Sequence, residues 1–420
     1  MAIAAKTTGT WRGLSSAATA SISIAAVALS VVLLFVLVHP GNIDFDVYRY
    51  GGRTLLDHWG GNVLYAARNG LPFTYPPFAA LLFTVSAVIP LAVGYAAVAL
   101  CTLAGSAVVG ANLARHRLRL GSWRECFADG RFRLIAAAAT VAIMWLGPWR
   151  DTLDFGQINV ILMGMVLFDI AAGDTRKGRR WPTGLLTGLA AGIKLTPLAM
   201  GLLFLVRRDF KAILWLGVGF AGSVGLGFLL LPAESRTFWL DVLPNTSRIG
   251  GPGYVDNLSL KGMLLHTGFT QDNVTIPWVL ACLVTIVVGA MAIKWASDGK
   301  ANLAAVSIAA IVTLLISPVS WSHHWVWMAV ALTALAFSLW DTPRLGAGVR
   351  RTGWTLLAVT VVVQYLSPKT LAALTGSPDP SHVSPVSLLV ASVGVPLAFA
   401  MILLWGWIYR PERLRRTRRG

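Results

Sequence analysis

Apolar stretches recur along the whole chain and are separated by short polar segments. A helix needs about 20 apolar residues to cross the hydrocarbon core of a bilayer, and most of the stretches approach this length. The pattern predicts membrane spans over 17–38, 78–113, 134–149, 158–172, 183–206, 213–232, 276–294, 303–318, 325–340, 353–366 and 384–409. Because many others follow the first stretch, it is interpreted as a retained span and not as a signal peptide.

Two of these stretches allow more than one topology. The 78–113 stretch contains Pro90, and the 183–206 stretch contains Lys194 and Pro197. If either one is a single crossing and the other a hairpin, the chain makes twelve crossings and both termini are cytoplasmic. Short basic loops mark the cytoplasmic side, which favours one crossing for 78–113 and a hairpin for 183–206. The loops 39–76 and 233–275 then face outward.

Composition supports a membrane protein and argues against nucleic acid as a partner. The 420 residues are 56% hydrophobic and only 13% charged, whereas about a quarter of the residues in soluble domains are charged. The net charge of +17 is gathered in short loops and at the C-terminus, where it attracts the anionic head groups of membrane lipids. Without a soluble domain, coiled coil or repeat in the sequence, residues 1–420 are expected to form one integral-membrane domain.

Two carboxylates follow the first span, at Asp44 and Asp46. Residues two apart point to different sides of an extended segment or a helix, so the pair need not share one role. Such a pair serves as a general base or binds a divalent metal, and the spacing does not separate these two roles. Solvated charges at a helix end are an equally good interpretation.

Polar residues also interrupt the later apolar stretches. Gln157 and Asn159 enter a span, where they serve either helix–helix hydrogen bonds or recognition of sugar hydroxyls. Lys194 is costly inside an apolar stretch unless it has a partner; it suits a phosphate, with snorkelling to the interface as the alternative. His323 and His324 lie among tryptophans at an interface, where they bind phosphate or sugar or act only as interfacial residues.

The two outward loops carry further candidates. The segment 71–78 (LPFTYPPF) is extended because of its prolines, and an interfacial aromatic anchor is the simpler interpretation of it. The second loop holds residue types that suit polyols and anions. They are Trp239, Asn245, Arg248, Asp256, Asn257, Ser259 and Lys261.

Five segments in this order carry a resemblance to one family. They are 44–48 (DFDVY), 72–78 (PFTYPPF), 155–160 (FGQINV), 192–197 (GIKLTP) and 317–327 (SPVSWSHHWVW). With them the chain resembles the actinobacterial integral-membrane α-(1→2)-mannosyltransferases, which use polyprenyl-phosphate mannose and act on phosphatidylinositol mannosides and lipomannan. The stretch 257–261 (NLSLK) departs from the Asn-Gln-Ser that family members often have, and it leaves the acceptor open.

The resemblance implies an all-α polytopic protein of the glycosyltransferase-C fold with many spans. With the crossings counted above, about twelve transmembrane helices are expected. The active site would face the extracytoplasmic side of the plasma membrane. The donor would be polyprenyl-phosphate mannose and the acceptor a mannosylated lipid. The reaction would invert the sugar configuration, because the donor linkage is β and the product linkage α.

The resemblance also implies roles for individual residues. Asp44 would be the general base, with Asp46 as the fallback. The donor phosphate would be bound by Lys194, His323 and His324, so that neither a metal nor another cofactor is required. The sugar and acceptor would be bound by Tyr48, Tyr75, Gln157, Asn159, Arg248, Asn257, Ser259 and Ser320.

Two alternatives remain at this point. An arabinofuranosyltransferase using decaprenyl-phosphate arabinose keeps the enzyme class, but the pair His323 and His324 disfavours it. A lipid-linked sugar transporter or flippase would use Lys194 and the broken helices as a substrate path. That function predicts repeat-like halves, which the sequence does not show.

Overall fold

The computed structural model describes residues 15–38, 40–66, 70–173, 181–245, 250–342, 345–380 and 382–411. These residues are almost wholly helical, and their one isolated β-bridge joins Asn257 to Trp321. The prediction of an all-α chain is confirmed.

The α-helices of the described residues, in chain order, are α1 (Ser16–Val38), α2 (Ile43–Asp57), α3 (Pro77–Val88), α4 (Leu91–Leu118), α5 (Trp123–Ala128), α6 (Gly130–Met144), α7 (Gly147–Phe155), α8 (Asn159–Gly173), α9 (Leu185–Ile193), α10 (Gly201–Val206), α11 (Phe210–Leu230), α12 (Pro232–Thr237), α13 (Leu260–His266), α14 (Thr275–Asp298), α15 (Asn302–Ile316), α16 (Trp327–Asp341), α17 (Ala347–Leu366), α18 (Pro368–Leu374), α19 (Pro385–Ala391) and α20 (Gly394–Tyr409). Two 3₁₀ turns, Thr196–Met200 and Ser322–Val326, and a π turn, Phe238–Val242, complete the helical structure.

The chain is a multi-pass membrane protein, but the count of twelve crossings is not confirmed. By length and composition, the described residues contain five segments that can cross a membrane: α1, α4, α11, α14 and the stretch Pro385–Tyr409. The number rises to seven if the bent pairs α6 with α7 and α17 with α18 each form one span.

Several predicted spans are too short to cross a bilayer as straight helices. The helices α8, α15 and α16 have 15 residues each. At 1.5 Å per residue this gives about 22 Å, less than the roughly 30 Å of the hydrocarbon core. Most residues of α15 and α16 are buried. These apolar sequences therefore form the protein core, and hydropathy alone does not distinguish them from lipid-facing spans.

The 78–113 stretch, which is expected to make one crossing, is divided into two helices near Pro90. The structure ends α3 at Val88 and begins α4 at Leu91, with Ile89 extended at φ −87° and ψ 153°. Pro90 has no N–H and disfavours a helical conformation for the residue before it, so the helix ends there. The interruption expected within 183–206 is present, because α9 ends at Ile193 and Lys194 is extended.

The chain divides into two compact units, one of residues 1–39 and 106–144 and the other of residues 40–105 and 145–420. In the smaller unit α1 packs against α6, where the guanidinium of Arg133 donates to Ser16 Oγ at 2.8 Å and to Thr19 Oγ1 at 2.7 Å. All the polar residues considered below belong to the larger unit.

Glycines bring backbones together in the larger unit. A Cβ added at Gly188 of α9 would overlap the carbonyl oxygen of Leu216 in α11, and one added at Gly52 of α2 would overlap that of Phe83 in α3. Small residues allow this close helix packing in membrane proteins. The packing holds α9, which ends just before Lys194, against α11, and it holds α2, which carries Asp44, against α3.

We expect Gly188→Ala to destabilise the protein, because the methyl group has no space at the α9–α11 contact; overpacking of this kind costs about 1–3 kcal/mol. The matched control is Gly217→Ala in α11, where nothing lies within 4 Å of an added Cβ. Thermal unfolding of the purified protein in detergent measures both. Equal midpoints for the two variants would show that the close packing is not required.

Candidate functional site

The polar residues of the larger unit lie where helices begin or end. Gly156 ends α7 in the left-handed conformation, with φ 67° and ψ 40°, and Gln157 follows in the short break before α8. Lys194 lies in the break after α9, with φ −148° and ψ 125°. Breaks of this kind are tolerated at membrane depth where they are buried in protein or line a cavity. In a continuous helix the backbone groups bond to one another within the helix. At a break, side chains such as those of Gln157 and Lys194 occupy this region instead.

One half of the site is a buried cluster around Tyr48. Its hydroxyl donates to Gln157 Oε1 at 2.8 Å and lies 3.3 Å from the hydroxyl of Tyr75. All three residues are buried. The ring of Phe83 stacks on Tyr48, with centroids 4.5 Å apart, and fixes its orientation. Tyr48, Tyr75 and Gln157 thus form a rigid hydrogen-bonded wall, although Tyr48 and Gln157 are 109 positions apart in the sequence.

The other half is centred on Lys194. Its ammonium donates to Asn159 Oδ1 at 2.9 Å and to His324 Nε2 at 3.1 Å, and it lies 5.7 Å from the ring centroid of Tyr75. The amide of Asn159 donates in turn to the backbone carbonyl of His323 at 2.8 Å. The partners that the sequence required for an intramembrane lysine are therefore an amide, an imidazole and an aromatic face.

Gln157 joins the two halves. Its Nε2 lies 3.3 Å from His323 Nε2, and its Oε1 accepts from Tyr48. With this amide orientation, His323 carries its proton on Nδ1, which is buried and has no hydrogen-bond partner within the described residues. Burial lowers the pKa of both His323 and His324 well below the ordinary value, and the charge of Lys194 lowers it further. The two imidazoles are therefore neutral at neutral pH.

Asp44 and Lys194 lie close enough to attract each other. Burial raises the pKa of the Asp44 carboxyl above its ordinary value. A hydrogen bond from Gln157 and the charge of Lys194 oppose this shift, and the carboxylate of Asp154 adds to it. A carboxylate in this position can accept a proton beside a cationic centre.

Asp46 occupies a different environment. It is exposed, one helical position beyond the buried Phe45, while Asp44 is partly buried. The predicted pair thus separates into one residue within the cluster and one on its outside.

Among the described residues, no group of three or more His, Cys, Asp or Glu side chains is arranged to hold a metal ion.

Three further predicted residues form hydrogen bonds beside the 3₁₀ turn Ser322–Val326, the histidine turn. Asn257 Oδ1 accepts from the backbone N–H of Ser320 at 2.8 Å, and Asn257 Nδ2 donates to the carbonyl of Pro252 at 2.7 Å. Ser259 caps α13 by accepting from the N–H of Gly262 at 3.0 Å. The side chains of Asn257, Ser259 and Ser320 are all buried. Arg248 lies outside the described residues.

Several residues near the site were not singled out by the sequence. Asp154 accepts from the N–H of Gly41 at 2.8 Å and fixes the start of the segment that leads to Asp44. Lys369 of α18 lies 3.6 Å from Asp256 and 5.5 Å from the ring centroid of Phe155. The sequence signal for Lys369 was an isolated lysine after an apolar stretch. Because Lys369 is far from the other motifs in the sequence, its contact with Asp256 was not predicted.

A cleft adjoins the Lys194 cluster. Its empty volume is about 480 Å³, including space open to the outside. Asn159, Thr196, Thr313 and His324 line it with polar side chains, and the remaining lining is mostly apolar. The apolar residues that line it include Leu162, Met163, Met200, Leu314, Val326 and Trp327.

We expect Tyr48→Phe to destabilise the protein, because it removes the hydrogen bond to the buried Gln157 Oε1. An unsatisfied buried acceptor costs about 1–3 kcal/mol. The control is Tyr365→Phe, since Tyr365 is 46% exposed. Thermal unfolding in detergent compares the two variants. A Tyr48→Phe variant as stable as the control would contradict the hydrogen-bonded wall.

Comparison with known proteins gives several curated relatives. The chain is 36% identical over 341 residues to the polyprenol-phosphate-mannose-dependent α-(1-2)-phosphatidylinositol mannoside mannosyltransferase of Mycolicibacterium smegmatis, covering 75% of this chain and 76% of that one. It is 31% identical over 408 residues to the polyprenol-phosphate-mannose-dependent α-(1-2)-phosphatidylinositol pentamannoside mannosyltransferase of Mycobacterium tuberculosis, covering 95% of this chain and 89% of that one.

One solved structure is similar, the crystal structure of ArnT from Cupriavidus metallidurans bound to undecaprenyl phosphate. The match has a TM-score of 0.40 and 18% identity, and it covers 93% of this chain and 78% of that one. A TM-score of this size does not by itself establish a common fold.

The family model of glycosyltransferase family 87 matches residues 73–318. This range is more than half of the chain and includes Tyr75, Gln157, Asn159 and Lys194, and the similarity to the curated relatives extends over three quarters of the chain or more. The chain therefore belongs to glycosyltransferase family 87.

Proposed function

We propose that this chain is an inverting α-(1→2)-mannosyltransferase that moves mannose from polyprenyl-phosphate mannose to a mannosylated glycolipid. The names of its relatives support this donor and linkage, and they support a phosphatidylinositol mannoside as acceptor. The observation that carries the proposal is one polar cluster, in which Lys194 donates to Asn159 and His324 and the carboxylate of Asp44 interacts with Lys194. This cluster supports a base next to a site for a phosphate.

The proposal includes the location of the reaction. A single glycosyltransferase-C domain would lie in the plasma membrane, with the cluster facing the extracytoplasmic side. The positive-inside pattern supports this orientation, because the basic residues are concentrated in the loops on the opposite side from 39–76 and 233–275. A lipid-linked donor on that side needs no soluble nucleotide sugar.

In this mechanism Asp44 acts on the acceptor. Its carboxylate accepts the proton of an acceptor hydroxyl, whose oxygen then forms a bond to the anomeric carbon of mannose. The bond between that carbon and the phosphate oxygen breaks at the same time, and the electron pair leaves with the polyprenyl phosphate. One displacement of this kind inverts the anomeric centre. A positioned general base contributes about 10²- to 10⁴-fold to such a step.

Lys194 acts on the leaving phosphate. Negative charge grows on the phosphate as the bond breaks, and a fixed ammonium in a poorly solvated site stabilises it strongly. The neutral His323 and His324 contribute hydrogen bonds and no charge. Within the described residues the Nδ1–H of His323 has no acceptor, so in this mechanism it donates to a ligand oxygen.

The remaining predicted residues surround the sugar and the lipid. We assign Tyr48, Tyr75, Gln157 and Asn159 to the mannose side, because Tyr48, Tyr75 and Gln157 form the hydrogen-bonded wall and Asn159 accepts from Lys194. Asn257, Ser259 and Ser320 support the acceptor region by holding the loop beside the histidine turn. The cleft beyond His324 offers an apolar surface for the first part of a polyprenyl chain.

We expect Asp44→Asn to lower kcat by about 10²- to 10⁴-fold, since the amide cannot accept a proton. The measurement is transfer of labelled mannose by the purified protein from polyprenyl-phosphate mannose to a phosphatidylinositol mannoside. Asp46→Asn is the matched control, because it removes a carboxylate from the exposed side of the same helix. Full activity in Asp44→Asn, or a loss confined to Asp46→Asn, would overturn the assignment of the base.

The same assay separates the alternatives. Replacing the donor by decaprenyl-phosphate arabinose should abolish transfer, and transfer of arabinose in place of mannose would identify an arabinofuranosyltransferase. Movement of the donor across vesicle membranes without any sugar transfer would instead support a flippase.

We expect the rate to fall on the acid side with a midpoint above 3.8, the ordinary value for an aspartate, because burial raises the pKa of Asp44. The base must be ionised, so activity is present above this raised pKa and is lost as the pH falls through it. The dependence of kcat on pH measures the midpoint. Asp46→Asn should leave it unchanged, and an acid limb that disappears in His324→Gln would contradict the assignment.

A further inference from the structure

Four side chains from distant segments meet beside the histidine turn. Ser322 directly precedes His323, and its hydroxyl contacts Asp151 Oδ2 of α7 and lies 2.9 Å from Asp256 Oδ2. Lys369 Nζ of α18 lies 3.6 Å from the same Asp256 oxygen. Ser322 and Asp256 are buried.

The hydroxyl of Ser322 has one hydrogen, so it donates to only one of the two carboxyl groups. The other carboxyl oxygen lies at hydrogen-bonding distance from the same Oγ. Either that carboxyl group carries a proton and donates it, or two lone pairs face each other in a buried place. Since the second arrangement is costly, the geometry indicates one proton shared between Asp151 and Asp256.

The charge of the cluster agrees with one shared proton. The singly protonated acid pair carries one negative charge, and Lys369 balances it. Asp256 Oδ1 is buried and has no hydrogen-bond partner in the described part of the chain, which disfavours full ionisation. Burial also raises the pKa of Asp256, although Lys369 opposes the shift.

The other charged groups around the cluster have partners of their own. Arg150 donates to the carbonyl of Tyr365 at 2.6 Å and lies over its ring. Asp154 accepts from the N–H of Gly41. Within the described residues, the cation that contacts the acid pair is Lys369, through Asp256.

Lys369 also connects the acid pair to the histidines. Its ammonium lies 5.5 Å from the centroid of the Phe155 ring, and the edge of that ring packs against His323 with centroids 5.4 Å apart. The rings of His323 and His324 are perpendicular, with centroids 4.6 Å apart. A displacement of Ser322 or Phe155 would therefore change the positions of both imidazoles.

We propose that Asp151, Asp256 and Lys369 are positioning residues. They form a neutral network, in which the two carboxyl groups share one proton through the hydroxyl of Ser322, and they fix the turn that carries His323 and His324. This inference rests on the proposed function, because the imidazoles are assigned there to the donor phosphate. Lys369 lies beyond the 73–318 range of the family match, so no motif points to it.

A set of charge-altering variants tests the network. Asp151→Asn and Asp256→Asn should each keep activity within about threefold, because an amide replaces the protonated carboxyl group and Lys369 stays balanced. The double variant should lose about 30-fold or more, since it leaves the lysine without a counter-charge. Adding Lys369→Met to the double variant should restore most of the activity.

Two single changes of the lysine complete the set. Lys369→Arg should retain activity because the positive charge is kept, whereas Lys369→Met should lower it. The control is Asp298→Asn, which breaks the exposed pair with Lys294 and should change nothing. Rates at saturating and at low donor concentration, together with unfolding midpoints in detergent, are measured for every variant.

The outcome is decided by the pattern across the variants. Single Asn variants as damaged as the double variant, or a triple variant without recovery, would overturn the shared-proton network. If the wild-type protein transferred no mannose, the proposed function would fail by itself. The unfolding midpoints would then still test the network, because an unbalanced buried lysine lowers the midpoint and its removal restores it.

Discussion

The site depends on an ammonium group held at a helix break in a poorly solvated part of the protein. An isolated charge of this kind is costly, and the structure compensates for it with Asn159, His324 and the face of Tyr75. Each of these partners lies on a different segment. Fixing the position of Lys194 therefore fixes the relative positions of α8, the 3₁₀ turn Ser322–Val326 and the extended segment before α3.

The broken helices explain how a largely apolar chain builds such a centre. A continuous span uses all its backbone groups within the helix and presents side chains only to its neighbours. Where α7, α9 and α15 end, the chain turns and directs Gln157, Lys194 and His323 toward one region. The glycine contact at Gly188 holds α9, one of these helices, against α11.

The nature of the site was more predictable from the sequence than its construction. The polar interruptions at Gln157, Asn159, Lys194 and the two histidines were found because they break apolar stretches, and the structure brings them together. The sequence left open whether a helix break occurs at Pro90, since hydropathy is continuous across it, and the structure has the break. The hydrogen bond between Asn257 and Ser320 and the link between Lys369 and Asp256 depend on packing between segments more than fifty residues apart, which local sequence patterns do not encode.

The close contact between α2 and α3 has a consequence for turnover. Because Gly52 lies directly against the backbone of Phe83 and Gly51 against the ring of Phe73, α2 has no room to swing without separating from its neighbour. Packing of this kind resists movement of the helix that carries Asp44. Under the proposed function, the acceptor hydroxyl would therefore have to approach the carboxylate, because the carboxylate would not approach the hydroxyl.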